Sequence, residues 1–352
     1  MRLVVLGLSL SSSWGNGHAT TYRALLKAFA ARGHEVVFLE CDRPWYAAHR
    51  DLPDPDFCEL RLYDGLVDLA RDHAGLVRSA DAVVVGSYVP DGVAVGTWAC
   101  DTARGVRAFY DIDTPVTLAK LARGDFEYLD PDLIRRFDLY FSFTGGPTLD
   151  WLEGGHGARM ARALYCAVDP EAYRPLDLEP SIDLGYLGTY SPDRQTKVEA
   201  LLLEPARRLP GRGFAVAGPQ YPDGIDWPAN VRRIDHLPPS EHAPFYAAQR
   251  FTLNVTRADM VRAGWSPSVR LFEAMATGVP VVSDDWPGLA ELFPPGEAIL
   301  IAGGTDDVVR VLTETGEAER RRIATNARRL VLERHTAAVR AGELETYLKE
   351  AA

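Results

Sequence analysis

The sequence predicts an α/β protein made of two doubly wound, Rossmann-like domains that face each other across a cleft. Short apolar runs of buried-strand length alternate with helix-length segments in both halves of the chain. A stretch rich in proline and charge, 166–175, separates the two alternating series. At 352 residues the chain is longer than one typical core requires. We therefore expect domains over 1–165 and 166–335, with 336–352 as a closing helix that packs back on the first domain.

The first domain is predicted to start with one β-loop-α-β unit. A strand over 3–8 leads into a serine- and glycine-rich loop, then a helix with Tyr22, Leu25, Leu26 and Phe29 on one face. Gly33 ends this helix, and a second strand follows over 34–40. Further strands are predicted at 82–86, 106–110 and 139–143. The segment 42–57, rich in proline, aspartate and aromatic residues, is predicted to be an irregular excursion.

The second domain is predicted to repeat the pattern. Its strand-like runs are 182–187, 214–217, 231–234, 251–255, 279–283 and 298–301. Two closing helices are expected over 320–332 and 339–348, with charge on their exposed faces.

Charge and cysteine content restrict the function classes. The formal net charge is -11, which leaves no broad positive field for nucleic acid or anionic lipid but permits a local cationic pocket. The four cysteines contain no CxxC pair, so we expect reduced thiols in a cytoplasmic protein. The N-terminal apolar run is too short to span a bilayer, and no transmembrane segment is expected.

The loop after the first strand contains a candidate catalytic histidine. Gly17 and His18 stand at the mouth of the first helix, on the side of the sheet where ligands bind in doubly wound folds. Histidine suits proton abstraction near neutral pH, and glycine allows a substrate close to the backbone. The competing interpretation is a histidine that only caps or packs the helix.

The same loop partly matches a dinucleotide-binding fingerprint. Gly15 and Gly17 are followed by Thr20 where the third glycine is expected, and acidic Glu40 ends the next strand. The glycine pair also follows the strand end by several residues, instead of forming the tight turn that holds a pyrophosphate. A nicotinamide enzyme is therefore the lesser enzymatic alternative.

Two further acids follow a predicted strand. Asp111 and Asp113 are two positions apart, and no histidine or third acid lies nearby in the sequence to complete a metal site. A metal site is thus not favoured. We expect that one of these two acids reaches an acceptor, which makes both candidate catalytic residues.

The most informative stretch of the second half is 265–284. Ser268 is predicted to begin a short helix and Gly278 to end it, and the helix N-terminus can face an anion. Apolar residues occupy one face of this helix, whereas Arg270 and Glu273 lie on the face that a ligand would approach.

Other candidate binding residues follow strands of the second domain. Gly188 and Thr189 come directly after the strand over 182–187, and the guanidinium of Arg194 matches phosphate oxygens with two donors. His236 follows the strand over 231–234 and could contact a base or ribose, with a plain loop histidine as the alternative.

At these residues the chain resembles GT-B-fold glycosyltransferases, particularly the CgeB-like spore-maturation branch with its glycosyltransferase group 1 C-terminal domain. The most specific part of the resemblance is 266–274 with 278–284, then Gly288-Leu289 and Pro295-Gly296-Glu297. Supporting segments are 168–171 and Gly17-His18 before the helix that ends at 31–36.

The resemblance implies a nucleotide-diphosphate sugar, a UDP- or dTDP-sugar, as co-substrate and no obligatory metal. The donor would be held by the second domain, and the acceptor, whether a small molecule, a glycan or a lipid-linked molecule, by the first. Glu273 resembles the acid that binds the donor ribose. The loop Ser266-Pro267-Ser268 with the helix start including Arg270 resembles the diphosphate cradle, and Arg194 resembles its cationic partner.

One position departs from the family pattern. Many retaining members carry a second glutamate eight positions before the one that Glu273 matches, whereas this chain has Trp265 there. His18 resembles the loop histidine that acts as base in some inverting GT-B enzymes, which favours inversion. Two other functions stay open on the sequence: a non-catalytic sugar-nucleotide-binding or structural spore-type protein, and a GT-B-type sugar-nucleotide epimerase.

Overall fold

The structure, a computed structural model, describes residues 1–14 and 17–352. It divides into two compact units. Unit 1 comprises Met1–Ala167 and Ala337–Ala352, and unit 2 comprises Val168–Thr336. Each unit is built on one parallel β-sheet.

The sheet of unit 1 has seven strands in the order β3-β2-β1-β4-β5-β6-β7. The strand order reverses between β1 and β4, so the loops after these strands flank the switch point at which doubly wound folds bind ligands. The strands are β1 (Arg2–Gly7), β2 (Glu35–Cys41), β3 (Glu59–Tyr63), β4 (Ala82–Gly86), β5 (Val106–Asp111), β6 (Leu139–Ser142) and β7 (Ala161–Ala163).

Helices cover this sheet. The predicted apolar face of the first helix is confirmed, because its four large side chains are buried in one core cluster with residues of β1, β2 and β5. The helices are α1 (Gly17–Ala30), α2 (Pro44–Ala47), α3 (Leu66–Ser79), α4 (Gly92–Thr102), α5 (Thr114–Ala122), α6 (Pro131–Ile134) and α7 (Pro147–His156).

Unit 2 repeats the arrangement with six strands in the order β10-β9-β8-β11-β12-β13. Its switch point lies between β8 and β11. The strands are β8 (Ile182–Leu187), β9 (Phe214–Ala217), β10 (Val231–Ile234), β11 (Gln249–Asn254), β12 (Val281–Ser283) and β13 (Leu300–Ile301). The helices are α8 (Pro192–Val198), α9 (Glu204–Arg208), α10 (His242–Ala247), α11 (Ala258–Ala263), α12 (Val269–Ala276), α13 (Leu289–Leu292), α14 (Thr305–Glu314) and α15 (Glu317–Arg334), with a π-helical turn, Glu199–Leu203, joining α8 to α9.

The last helix, α16 (Ala337–Glu350), belongs to unit 1. Its buried residues Ala341, Leu344 and Leu348 share a core cluster with Leu25 and Phe29 of α1. Among the described residues, no helix is long and apolar enough to cross a membrane.

The predicted fold class is confirmed for both sheets. Four predicted strands, at 82–86, 182–187, 214–217 and 231–234, match the observed strands residue for residue. Two strands were not predicted. Strand β3 lies at the edge of the sheet and alternates apolar with charged residues, and β7 has only three residues. The excursion 42–57 contains the short helix α2.

Candidate active site

In unit 1, a histidine and an aspartate that are 95 positions apart meet at the carboxyl edge of the sheet. The Nε2 atom of His18, in the first turn of α1, lies 3.1 Å from Oδ2 of Asp113, which follows β5. The Nδ1 atom of His18 is buried and has no hydrogen-bond partner among the described residues. A carboxylate on one ring nitrogen orients the imidazole and stabilises its protonated form. Because Nδ1, the nitrogen that Asp113 leaves unused, has no exposed surface, His18 acts as a base when its ring or the residues around it move to open this atom.

The other predicted catalytic acid requires a correction. Asp111 is fully buried, and its carboxylate accepts hydrogen bonds from the Tyr140 hydroxyl (2.6 Å) and from Thr117 Oγ1 (2.7 Å). Burial raises the pKa of Asp111 to about 6, although these two hydrogen bonds oppose the shift. A side chain with no exposed surface cannot contact an acceptor, so Asp111 supports the segment that carries Asp113.

The loop after β1 is shaped by a buried glutamate. Both carboxylate oxygens of Glu40 are occupied by the loop itself, through the hydroxyls of Ser9 and Ser11 and the backbone N–H groups of Leu10 and Ser11. The distances are 2.6–3.1 Å. The dinucleotide interpretation needs this acid free to bind a ribose, and the structure contradicts it.

The structure does not support a specific role for the glycines predicted in this loop. Gly15 lies outside the described residues. Gly17 begins α1 and is exposed, and a Cβ atom there would meet no other atom within 4 Å. The protein itself therefore does not require glycine at position 17.

Aromatic residues beside His18 were not predicted as site residues. The ring of Tyr88 meets His18 edge-on at 5.6 Å between centroids and lies 4.5 Å from the ring of Tyr128. Tyr88 has a φ of 62°, a left-handed conformation that residues other than glycine rarely adopt outside functional sites. Burial and the nearby Asp113 charge raise the pKa of Tyr88 to about 12. A strained backbone thus holds a neutral phenol against the histidine.

In unit 2, two buried arginines lie together at the switch point. Arg194 and Arg270 are 9% and 8% exposed, and neither forms an ion pair with an acid in the described part of the chain. Burial lowers the pKa of Arg194, and the positive charges of Arg270 and Arg257 lower it further. Burying two guanidinium groups without a counter-charge costs several kcal/mol. Such an arrangement is typical of a site that receives an anionic ligand.

Backbone and polar groups hold these arginines in place. Arg270 donates from Nε to the Leu187 carbonyl oxygen and from Nη1 to Asn254 Oδ1 (2.8 Å). Arg194 donates to the Thr189 carbonyl oxygen, while its Nε atom is buried without a partner. Donors that the protein leaves unused can therefore serve a ligand.

Gly188 lies directly against this pair. A Cβ atom at position 188 would come within 3.0 Å of Arg270 Nη2 and within 2.7 Å of the Tyr186 hydroxyl. The Tyr186 hydroxyl is itself buried without a partner, and the Tyr221 hydroxyl donates to the Gly188 carbonyl oxygen at 3.1 Å. A side chain at position 188 would crowd the Tyr186 ring first and then the Arg270 guanidinium.

The loop before α12 differs in part from the prediction. Ser268 begins the helix as expected, but its hydroxyl donates to Asn254 Oδ1 at 2.8 Å and does not cap the helix. Ser266 and Pro267 are buried, so of the three predicted cradle residues only Ser268 presents partly exposed surface. The same Asn254 oxygen also holds Arg270, which makes this asparagine an organising residue that the sequence analysis missed.

The prediction that α12 packs by one face only is wrong. Every residue from Arg270 to Ala276 is buried, so Arg270 and Glu273 lie inside the unit. The carboxylate of Glu273 is 4% exposed and accepts from the Tyr246 hydroxyl at 3.0 Å, with His242 Nδ1 at 4.0 Å. Burial and the Glu273 charge raise the pKa of Tyr246 well above its usual value.

Two remaining residues make no described contact with the arginine pair. His236 is exposed in the loop after β10, with no described hydrogen bond. Trp265 has a φ of 40°; its Nε1 donates to Glu291 Oε2 at 2.9 Å, and its ring occupies the space that a Cβ atom of Gly288 would need. Trp265 therefore packs against the turn before α13. Among the described residues, no group of three or more His, Cys, Asp or Glu side chains could hold a metal ion.

Comparison with known proteins gives a family match for the second half of the chain. Residues 194–346 match the family described as "Glycosyl transferase-like". The matched range covers most of unit 2 and most of α16. No curated protein sequence matches the chain.

Solved structures resemble the whole chain. Sucrose-phosphate synthase from Thermosynechococcus elongatus is 15% identical with a TM-score of 0.71, and the match covers 100% of both chains. Anabaena HepE in complex with UDP and glucose is 15% identical with a TM-score of 0.73 over 99% of each chain. An alpha-glucosyltransferase in complex with UDP and a 13-mer DNA is 13% identical with a TM-score of 0.70 over 99% of each chain. The fold that these proteins share with the chain is GT-B, and the predicted enzyme class, glycosyltransferase, is confirmed.

Proposed function

We propose that this glycosyltransferase moves a sugar from a nucleotide-diphosphate donor, most simply a UDP-sugar, to an acceptor hydroxyl. The observation that carries the donor assignment is the buried pair of Arg194 and Arg270 beside Gly188, which has no acidic partner within the described residues. A diphosphate supplies the missing negative charge, and guanidinium groups bind its oxygens with two donors each. Structural neighbours crystallised with UDP or UDP-glucose support this nucleotide.

The remaining donor contacts would come from the same unit. Ser268 and the N-terminus of α12 would bind the diphosphate together with the arginines. Glu273, which unlike Asp111 keeps a small exposed surface and accepts one described hydrogen bond, would accept further hydrogen bonds from the ribose hydroxyls. Thr189 and His236 follow β8 and β10 at the same edge of the sheet and are proposed as secondary contacts. The charge of the departing diphosphate would be stabilised by two arginines and a helix N-terminus, so the proposal requires no metal ion.

Unit 1 would bind the acceptor, with His18 as general base. His18 would take the proton from the acceptor hydroxyl while the oxygen attacks the anomeric carbon, and the bond from that carbon to the diphosphate oxygen breaks with its electron pair on the diphosphate. Asp113 would stabilise the imidazolium that forms. A single displacement inverts the anomeric configuration. With a net charge of -11, the chain is not expected to use nucleic acid as its acceptor.

Two finer assignments belong to the same proposal. The motif from Ser266 to Glu273 supports the CgeB-like branch of the family. The four cysteines are free thiols, which supports a cytoplasmic protein.

The donor site is tested by titrating UDP calorimetrically into the protein and its variants. Arg270→Gln removes a charge that contacts the diphosphate, and we expect UDP affinity to fall at least about tenfold. Glu273→Ala is expected to weaken binding similarly. The matched control is Arg262→Gln, since Arg262 is exposed on the neighbouring helix α11 and pairs only with Asp259. Unchanged UDP affinity in Arg270→Gln would contradict the donor site.

The base is tested with His18→Ala. We expect transfer to fall by about 10²–10⁴-fold with UDP affinity unchanged, because the lost group acts on the acceptor proton. Near-normal turnover would remove His18 from the mechanism.

The reaction type is tested by incubating the enzyme with a panel of nucleotide sugars, with and without candidate acceptors, and following free nucleoside diphosphate. Release that depends on acceptor, with a product of inverted anomeric configuration by NMR, is expected. An isomerised donor would indicate an epimerase, and binding without either product would indicate a non-catalytic module.

A further inference from the structure

Unit 2 contains a large cavity at the opposite edge of its sheet from the arginine pair. Its volume is about 680 Å³, within the range of small-molecule sites. The first residue of β11, Gln249, lies in its wall, whereas Asn254 at the other end of the same strand holds Arg270. Because β11 runs the full depth of the sheet, the cavity is separate from the proposed donor site.

Four segments enclose this cavity. They are the stretch 175–180 before β8, the end of α12 at Thr277 and Gly278, the stretch 247–250 at the start of β11, and α15 from Glu317 to Arg328. The Pro175 ring lies 3.7 Å from the position of a Cβ atom on Gly278, so the first two segments touch.

The charged lining of the cavity is cationic. It contains four arginines, at 250, 320, 321 and 328, against two glutamates, Glu179 and Glu317. Arg320 and Arg321 share the single carboxylate of Glu317, and Arg250 pairs with Asp183. Arg328 donates from Nε to the Ala276 carbonyl oxygen at 3.1 Å and has no ion pair among the described contacts. In a chain of net charge -11, this local excess of positive charge favours an anion.

A buried acceptor atom lies in the same wall. Gln249 is 1% exposed, and its Nε2 donates to the Phe245 carbonyl oxygen at 2.9 Å. Its Oε1 atom is buried and has no partner in the described part of the chain. Buried polar atoms are almost always hydrogen-bonded, so this oxygen calls for a donor that the protein does not supply. A hydroxyl group of a ligand can provide one.

We propose that this cavity is a second binding site, for a small phosphate ester that also carries hydroxyl groups, the class of sugar phosphates. The phosphate would be bound by Arg328 with Arg320 and Arg321, because arginine binds phosphate oxygens through paired donors. A hydroxyl of the same molecule would donate to Gln249 Oε1 after the side-chain amide, which packs against Gly185, turns toward the cavity. The site is independent of the proposed donor site and of the transfer reaction.

The test measures binding of glucose 6-phosphate, inorganic phosphate and glucose by calorimetry. Glucose 6-phosphate is expected to bind at least about tenfold more tightly than either other probe, since it alone satisfies both the arginines and Gln249. Arg328→Gln is expected to weaken its binding at least about tenfold and Arg321→Gln about threefold. The matched control is Arg329→Gln, the next residue of α15, whose side chain is exposed and pairs with Glu333.

A second variant and a second titration ensure that the result supports or contradicts the proposed cavity site. Arg321 is 75% exposed, so its variant reports on binding even if Arg328→Gln does not fold. The titration is repeated in Arg194→Gln, where the proposed donor site is impaired. Binding that persists in Arg194→Gln and is lost in Arg328→Gln supports the cavity. Binding that is lost only in Arg194→Gln, equal binding in Arg328→Gln and Arg329→Gln, or no binding of glucose 6-phosphate to the wild type overturns the proposal.

Discussion

At the scale of single residues, Asp111 and Asp113 at the end of β5 have the same side chain in different surroundings. Asp113 keeps 39% of its side chain exposed and lies 3.1 Å from His18, whereas Asp111 is fully buried among hydroxyl donors. Asp111 is the last residue of β5, whereas Asp113 lies in the turn between β5 and α5. Asp113 can therefore assist the chemistry proposed for His18, whereas Asp111 stabilises the structure around it.

Asp113→Asn is expected to lower the turnover number by about 10²–10⁴-fold, because an amide no longer stabilises the imidazolium of His18. The measurement is steady-state transfer with UDP affinity determined in parallel, and UDP affinity is expected to stay the same. The control is Asp125→Asn, an exposed acid in the same unit that pairs with Arg123. Equal activity of the two variants would show that Asp113 does not assist the histidine.

Asp111→Asn tests the raised pKa through the pH dependence of stability. An acid whose pKa is raised to about 6 in the fold contributes stability that is complete below the unfolded-state pKa of about 4 and is lost as the pH rises through 6. Asparagine has no such dependence. Between pH 4 and pH 7 the free energy of unfolding of the wild type should therefore fall relative to that of Asp111→Asn by up to about 3 kcal/mol.

Urea unfolding at pH 4, 5.5 and 7 measures this difference. Asp132→Asn is the control, because the Asp132 side chain is 93% exposed and should show a constant difference from the wild type. Parallel pH profiles for the wild type and Asp111→Asn would exclude a raised pKa at Asp111.

At the scale of elements, the β1–α1 loop is held by one carboxylate. Glu40 accepts four hydrogen bonds from three consecutive loop residues, Ser9, Leu10 and Ser11. Because the group is buried and saturated, it fixes residues 9–11 of the loop against the end of β2.

Glu40→Gln is expected to destabilise unit 1 by about 2–3 kcal/mol, since the amide brings two donors into a site that already consists of donors. Thermal unfolding measures the loss, and transfer activity should fall with it. Glu35→Gln serves as the control on the same strand, because the Glu35 side chain is 56% exposed and pairs with Arg2. A loss no greater than that of the control would mean that the loop does not depend on Glu40.

Most helices and strands could be predicted from the sequence because local residue patterns indicate them. Continuous apolar runs such as 182–187 mark strands buried on both faces, and Ser268 and Gly278 mark the ends of α12. Strand β3 was missed because an edge strand with alternating charge lacks that signal.

The site was only partly predictable, because its geometry depends on tertiary contacts. Nothing local in the sequence shows that Asp113 meets His18, that Asn254 holds Arg270, or that Glu40 is already occupied. The buried state of Arg270 also contradicts its helical periodicity, because neighbouring strands cover the face that the pattern leaves polar. The residue types in the sequence indicated the chemistry of the site, but the hydrogen-bond partners of each residue could be identified only from the structure.

At the scale of the whole molecule, unit 1 depends on the end of the chain. Helix α16 returns after unit 2 is complete, and Leu344 and Leu348 fill the core beside Leu25 and Phe29 of α1. The helix that carries His18 is thus supported by residues more than 300 positions away in the sequence.

Leu344→Ala is expected to cost about 2–5 kcal/mol, the usual effect of a cavity at a fully packed leucine. The loss should lower the thermal midpoint of unit 1 and the transfer rate, while UDP binding by unit 2 is retained. Val67→Ala is the control, because Val67 is 80% exposed on α3 of the same unit. A loss of UDP affinity in Leu344→Ala would show that the two units do not respond separately.

The two ends of unit 2 are neighbours. Val168 pairs with Thr336 in a parallel β-bridge, and the Val168 N–H donates to the His335 carbonyl oxygen at 3.2 Å. Ala167 precedes Val168 and Ala337 follows Thr336. The Cα atom of each alanine is therefore about 3.8 Å from the Cα atom of its neighbour in the bridge. In topological terms, unit 2 is a domain inserted into unit 1, and the first and last residues of the insertion are adjacent in space. A host chain joined directly from Ala167 to Ala337, or an insert exchanged between relatives at the same junction, would need no long connecting segment. The construction of the chain thus makes the two units separable by recombination.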